Sequence, residues 1–179
     1  QISERLTLGA LYKSKLKYTF KDVTFTSIPP KGFQTLTVEQ PAEYGIGAAI
    51  TLSSLWLIEI DLMRNLWSEA STYKDVYKDQ TIFMIGTQYE LGNWSFRAGY
   101  SHQSNHFRDE PNQSIDALHG IGSIPLPFIS NDLIKIVQTA SVPKVSSKSM
   151  SLGIGYKVTP SIRIDAFGAY SFEESLTRN

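Results

Sequence analysis

The sequence predicts an all-β protein, a transmembrane antiparallel up-and-down β-barrel. Three observations predict it. Apolar and polar residues alternate with period two over long segments, short turns alternate with long polar loops, and aromatics gather near both ends of the apolar face. About seven strands are expected in one partial barrel domain covering residues 1–179.

The first strand is expected at about 4–20. Its even positions include Leu6, Leu8, Ala10, Tyr12, Leu16, Tyr18 and Phe20, while Lys13, Lys15 and Lys17 occupy odd ones. A helix would scatter those lysines around its circumference. In the second, about 35–52, Leu36, Val38, Tyr44, Ile46, Ala48 and Ile50 oppose Glu39, Glu43, Gly45 and Gly47. The third, about 55–67, sets Trp56, Ile58, Ile60 and Leu62 against Glu59 and Asp61. The fourth, about 81–90, sets Phe83, Ile85 and Tyr89 against Gly86, Gln88 and Glu90. Trp94, Phe96, Ala98 and Tyr100 oppose Arg97 and Gly99 in the fifth, about 94–102. Met150, Leu152, Ile154 and Tyr156 oppose Gly153, Gly155 and Lys157 in the sixth, about 149–158. Ile162, Ile164, Ala166, Tyr170 and Phe172 oppose Arg163 and Asp165 in the seventh, about 162–172.

Short turns fall at Ser53-Ser54, Leu91-Gly92-Asn93 and Thr159-Pro160-Ser161, and longer loops at about 21–34, 67–80 and 102–148. That asymmetry matches the short periplasmic turns and long extracellular loops of outer-membrane barrels. Trp56, Trp94 and Tyr156 lie beside short turns; Tyr18, Phe20, Tyr100, Tyr170 and Phe172 lie beside long loops. Two such girdles suit the two interfaces of a bilayer. A soluble β-sandwich, the alternative with one apolar face, should have shorter strands and less lopsided loops. An odd strand count leaves open edges, which hydrocarbon does not tolerate, so either further strands outside the sequence or several chains together are expected to complete the barrel.

Composition narrows the function classes. The 179 residues carry 17 Lys+Arg and 17 Asp+Glu, a formal net charge of zero, which argues against a nucleic-acid partner. No cysteine is present, which removes disulfides, thiolate metal sites and cysteine nucleophiles. No apolar run approaches the ~20 residues of a membrane helix, and no signal peptide is visible in Gln1 to Arg5.

Several motifs resemble the long-chain fatty acid transporter (FadL/TodX-like) family of outer-membrane proteins. They are Gln40-Pro41-Ala42-Glu43-Tyr44-Gly45-Ile46-Gly47-Ala48 with Glu59-Ile60-Asp61-Leu62 and Leu66-Trp67-Ser68. Gly86-Thr87-Gln88-Tyr89 followed by Asn93-Trp94-Ser95-Phe96-Arg97-Ala98-Gly99-Tyr100 belongs with them, as does Leu152-Gly153-Ile154-Gly155-Tyr156-Lys157. The resemblance implies the C-terminal half of a 14-stranded barrel plugged by an N-terminal hatch, with the hatch and remaining strands absent from this sequence. It implies uptake of hydrophobic compounds, such as long-chain fatty acids or hydrocarbons, across the Gram-negative outer membrane. Hydrophobic small molecules and outer-membrane lipid are then the expected partners. The alternatives are a structural or adhesive barrel without cargo and a soluble β-sandwich binding module.

Candidate ligand contacts come from two loops. The resemblance implies a lysine contacting a fatty-acid carboxylate near Lys74 and Lys78, with Tyr73 or Lys74 as the nearest equivalent position. The long loop is unusually apolar; Leu133, Ile136, Val137 and Ala140 follow helical spacing behind Ser130, Asn131 or Asp132 as an N-cap. Phe128, Leu133 and Ile136 are therefore candidate contacts, either on a helix over the pore mouth or in a self-packed lid. Lys13, Lys15, Lys17, Glu39, Glu43, Glu59, Asp61, Arg97, Lys157, Arg163 and Asp165 are expected to line the lumen. They form either a polar pathway that orients an amphipathic ligand or an ion-pair network that holds the barrel together.

No enzyme is expected. Ser101 and Ser104 lie near His102, but no third member completes a triad. His102 and His106 are spaced i, i+4 at a strand end or in a loop, which does not bring the two rings together, so no metal site or cofactor is expected. Gly45-x-Gly47 and Gly153-x-Gly155 sit inside strands and open no helix, so they are not nucleotide loops.

Overall fold

The computed structural model describes residues 5–26, 32–74, 76–108 and 147–173. Among the described residues the β-formers that alternate in the sequence make nine strands. They are β1 (Leu6–Lys13), β2 (Leu16–Thr26), β3 (Gly32–Gln40), β4 (Glu43–Ser53), β5 (Trp56–Asn65), β6 (Gln80–Leu91), β7 (Trp94–Gln103), β8 (Lys148–Thr159) and β9 (Ile162–Ser171). Seven form one antiparallel sheet in the order β1-β4-β5-β6-β7-β8-β9; β2 and β3 form a separate two-stranded ribbon. From β4 onward each strand pairs with the next, an up-and-down meander. Strands of ten to twelve residues from β5 to β9 would rise ~25–30 Å at a ~40° tilt, enough for the apolar band of a barrel.

Register sorts the side chains into two faces. One row across all seven strands reads Leu8, Ala48, Ile60, Ile85, Tyr100, Met150, Tyr170. The adjacent row on the opposite face reads Thr7, Ala49, Glu59, Gly86, Gly99, Ser151, Ala169. The apolar face is bare: Ile46 is 65% exposed, Leu152 69% and Ile164 64%. Among the described residues no second layer covers it, which in water would be an untenable apolar patch. Trp94 contacts Tyr156 at 4.6 Å and Trp56 meets Tyr89 edge-on at 6.5 Å, both at the short-turn end of this face.

Two features differ from the sequence expectation. The first strand and the second are each broken, at Ser14-Lys15 and at Pro41-Ala42, so the long hairpin splits into sheet and ribbon. Pro41 has no N–H to give the ladder, and Ala42 turns its carbonyl to Leu66 N–H at 2.9 Å. The segment 21–34, expected as a loop, is mostly paired strand: β2 runs to Thr26 and β3 starts at Gly32. A register shift between Phe20 and Thr24 accommodates Lys21 and Asp22, and Asp22 takes a left-handed φ of 57°.

Candidate functional site

Among the described residues, most buried side chains lie at the long-loop end of the sheet. Tyr77, Phe107, His106, Ala70 and Thr72 are buried there. The chain after β5 makes a short 3-10 turn at Trp67–Glu69 and then runs beside the extension of β7. Lys78 N–H donates to His106 O at 2.7 Å, and Arg108 N–H to Val76 O at 3.2 Å. This pairing stacks Trp67, Tyr73, Tyr77, His106 and Phe107 into one aromatic cluster, with Tyr77 at 5.2 Å from Trp67 and 5.7 Å from Phe107. Gln80 anchors it, its amide 3.3 Å from His106 Nδ1. Burial lowers the His106 pKa below its usual 6.5.

The ribbon docks on the same turn. Ser71 N–H donates to Glu39 Oε2 at 2.6 Å and Glu39 N–H to Thr72 Oγ1 at 2.8 Å. The Ser71 hydrogen bond, with Lys15 and Lys17 nearby, holds the Glu39 carboxyl below its usual 4.5. Burial works against the Asp79 carboxylate, yet hydrogen bonds from Ser68 N–H and Arg64 outweigh it and lower its pKa.

The polar face carries the second half of the site. Glu59 stands alone as a charge in its row of small residues, and it lines two cavities of about 390 and 350 Å³. Gly9, Gly45, Gly47 and Asp61 line the first, whereas Gly86, Gly99, Ser151 and Arg97 line the second. Near the short turns the polar groups form a chain. Ser95 Oγ–H donates to Glu90 Oε2 at 2.6 Å, Gln88 Nε2 to Glu90 Oε1 at 2.8 Å, and Arg97 Nε to Gln88 Oε1 at 2.6 Å. Arg97 Nη1 then reaches Asp165 Oδ1 at 2.8 Å, which also accepts from Arg163 Nε at 3.0 Å.

The expected site residues divide accordingly. Glu59, Asp61, Arg97, Arg163 and Asp165 lie on the polar face, and Lys13 pairs with Glu43 at 3.2 Å at its upper rim. Lys157, opposite Arg163 in the register, is exposed at the short-turn end. Lys17 and Glu39 are not on the seven-stranded sheet but in the ribbon, separated from it by the breaks at Ser14-Lys15 and Pro41-Ala42. Lys15 lies in the first break, its Nζ donating to Glu69 O at 3.2 Å. Lys74 is exposed on the mouth turn, and its carbonyl accepts from Arg108 Nε at 3.0 Å. Lys78 is half-buried beside Tyr77. Phe128, Leu133 and Ile136 lie outside the described residues. Sequence reasoning weighs His106 only as a metal ligand and misses its packing role. The signal was the density of aromatic residues in 67–77 and 106–107.

No protein-family model and no curated protein sequence matches the chain. Solved structures do. The toluene transporter TodX of Pseudomonas putida superposes with a TM-score of 0.56 at 18% identity, covering 98% of this chain and 42% of that one. The Ralstonia pickettii toluene transporter TbuX gives 0.57 at 14%, covering 98% and 41%. A Pseudomonas aeruginosa FadL homologue gives 0.61 at 15%, covering 95% and 41%. The chain has the FadL/TodX transporter fold. It spans about two fifths of the length of these FadL/TodX structures. Its meander is therefore a run of strands from a β-barrel of that fold, with the apolar row on one wall surface and the Glu59 row on the other.

Proposed function

We propose that the complete protein is an outer-membrane channel that takes up hydrophobic compounds. The observation that carries this reading is the pair of adjacent rows, one wholly apolar and one built of small residues around Glu59. The apolar row faces membrane lipid. The small row leaves the inner wall unfilled, so a pathway runs beside it while ion pairs such as Arg97–Asp165 brace the wall. An adhesive or purely structural barrel has no need of that unfilled wall. The likeness to toluene transporters and to a FadL homologue supports a cargo that is apolar, an aromatic hydrocarbon or a long-chain fatty acid. Further strands and an N-terminal hatch outside this chain complete the barrel.

In this reading apolar contacts supply the affinity and charges orient. Phe128, Leu133 and Ile136 of the long loop receive the cargo, and Lys74 or Lys78 at the mouth meets the carboxylate of an amphipathic one. The test is uptake of radiolabelled toluene and of a radiolabelled long-chain fatty acid by a Gram-negative host lacking its own such channel. Expression of the complete protein should raise the uptake of at least one. A correctly assembled barrel that raises neither returns the protein to the structural or adhesive class.

A further inference from the structure

We infer that His106 is a proton-operated latch at the mouth. While neutral it ties the turn after β5 to the extension after β7, and on protonation it releases them. The inference rests on how its imidazole is held. Rings surround it, with Trp67 at 6.0 Å, Tyr77 at 5.1 Å and Phe107 at 4.4 Å between centroids. Its Nδ1 faces the Gln80 Nε2 amide at 3.3 Å, so Nδ1 accepts and the proton of the neutral ring sits on Nε2. That Nε2 is buried and has no hydrogen-bond partner among the described residues.

A second proton therefore meets a site built against it. Protonated Nδ1 would set N–H against the N–H of Gln80. Turning the Gln80 amide does not cure this. Its Oε1 already accepts from Asn65 Nδ2 at 3.3 Å, and its Nε2 also faces Gln103 Oε1 at 3.5 Å and Ser104 O at 3.4 Å. One proton would thus upset four contacts that join β5, β6, the end of β7 and its extension.

The charged groups around the cluster offer no relief. The turn brings Lys74 and Lys78 with the phenols of Tyr73 and Tyr77, and the β7 extension brings Arg108, whose guanidinium donates to the Lys74 and Tyr77 carbonyls. β5 brings Arg64. On the β6 side the carboxylate is Asp79, already bonded by Arg64 at 3.1 Å and by Ser68 N–H at 3.0 Å. Asp79 is thus already neutralised by Arg64, and burial holds the His106 pKa down.

The linkage follows. The closed latch binds fewer protons than the open one, so its stability is fully present above the ordinary pKa of 6.5. It weakens as pH falls from there towards the lowered closed-state value, by up to roughly tenfold in the closed-to-open ratio per pH unit.

Hydrogen exchange of the complete protein in lipid nanodiscs, corrected for intrinsic chemistry, tests this at about pH 7.5 and about pH 5. Protection of the peptides containing Trp67, Tyr77 and His106 should fall at the lower pH, by at most roughly tenfold per pH unit below 6.5, with the strands unchanged. His106→Phe should keep the protection at both. Should that variant not assemble, NMR titration of the His106 ring in the wild type decides: the latch requires it to titrate below 6.5. Protection that ignores pH, that falls equally in His106→Phe, or a ring that titrates at or above the ordinary value overturns the latch.

Discussion

Arg97 on β7 reaches Asp165 on β9 by crossing over β8, with Nη1 2.8 Å from Oδ1. The intervening strand permits this because it presents Gly153 and Gly155 to that face. A methyl on Gly155 would collide with Asp165 Oδ1 and lie 2.7 Å from Arg163 Nη2, and one on Gly153 would touch Arg97 Cβ at 3.6 Å. The glycines are the gap through which two arginines share one carboxylate.

Gly155→Ala should therefore lower the unfolding midpoint by displacing the Arg97–Asp165–Arg163 group. The loss should shrink when Asp165→Asn is already present, because the unpaired side-chain ends can then move aside. Denaturant unfolding of the four proteins of this cycle gives the coupling. Strictly additive effects would show that the glycine and the ion pairs act independently.

Tyr77→Ala should open the mouth without melting the sheet. Truncating a fully buried ring costs ~3–5 kcal/mol, and Tyr77 is 1% exposed at the centre of the aromatic cluster. Limited proteolysis should cut the variant between β5 and β6 far faster than wild type, at an unchanged global midpoint. A matching fall in the midpoint would mean that the mouth and the wall unfold as one unit.

Docking of the ribbon should be acid-sensitive. The folded pKa of Glu39 lies below 4.5, so the contact with Ser71 is fully present above that value and is lost as pH falls through the lowered one. Spin labels on the ribbon and the mouth turn should separate over that range in wild type. In Glu39→Gln they should already be apart near neutrality. A distance that stays constant with pH in wild type would remove Glu39 from the docking.

Cargo affinity should follow apolar burial more than charge. Burying a Leu or Phe side chain is worth ~1.5–3 kcal/mol, against about 0–1 kcal/mol for an exposed ion pair. In the complete protein, Phe128→Ser with Ile136→Ser should weaken binding of a fluorescent long-chain fatty acid more than Lys74→Ala does. The Lys74 effect should grow at low salt. A double variant that binds like wild type would make the long loop a lid only.

The wall was legible in the sequence because period-two alternation in Ile46–Ile50, Trp56–Leu62 and Leu152–Tyr156 maps directly onto faces of a sheet. The ribbon was not, since Lys21-Asp22 looks like loop and only the ladder shows it as a bulge inside a longer strand. Pro41 carried a readable warning, a residue that cannot donate to a central ladder. The His106 cluster depends on pairing Tyr77 with Phe107 across a long sequence separation, which no local period encodes.

The most direct test of the account asks which face meets lipid and which meets water. These 179 residues contain no cysteine, and any cysteine elsewhere in the complete protein is first replaced by serine so that single substitutions report without background. In the complete protein reconstituted in lipid vesicles, Glu59→Cys and Ser151→Cys should react with a small charged methanethiosulfonate. Their sequence neighbours Ile60→Cys and Leu152→Cys should resist it and, once fluorescently labelled, should be quenched by doxyl lipids. The account predicts that split at both pairs, β5 and β8 alike. Charged reagent reaching Ile60→Cys and Leu152→Cys as fast as their neighbours, with no quenching by doxyl lipid, would contradict it.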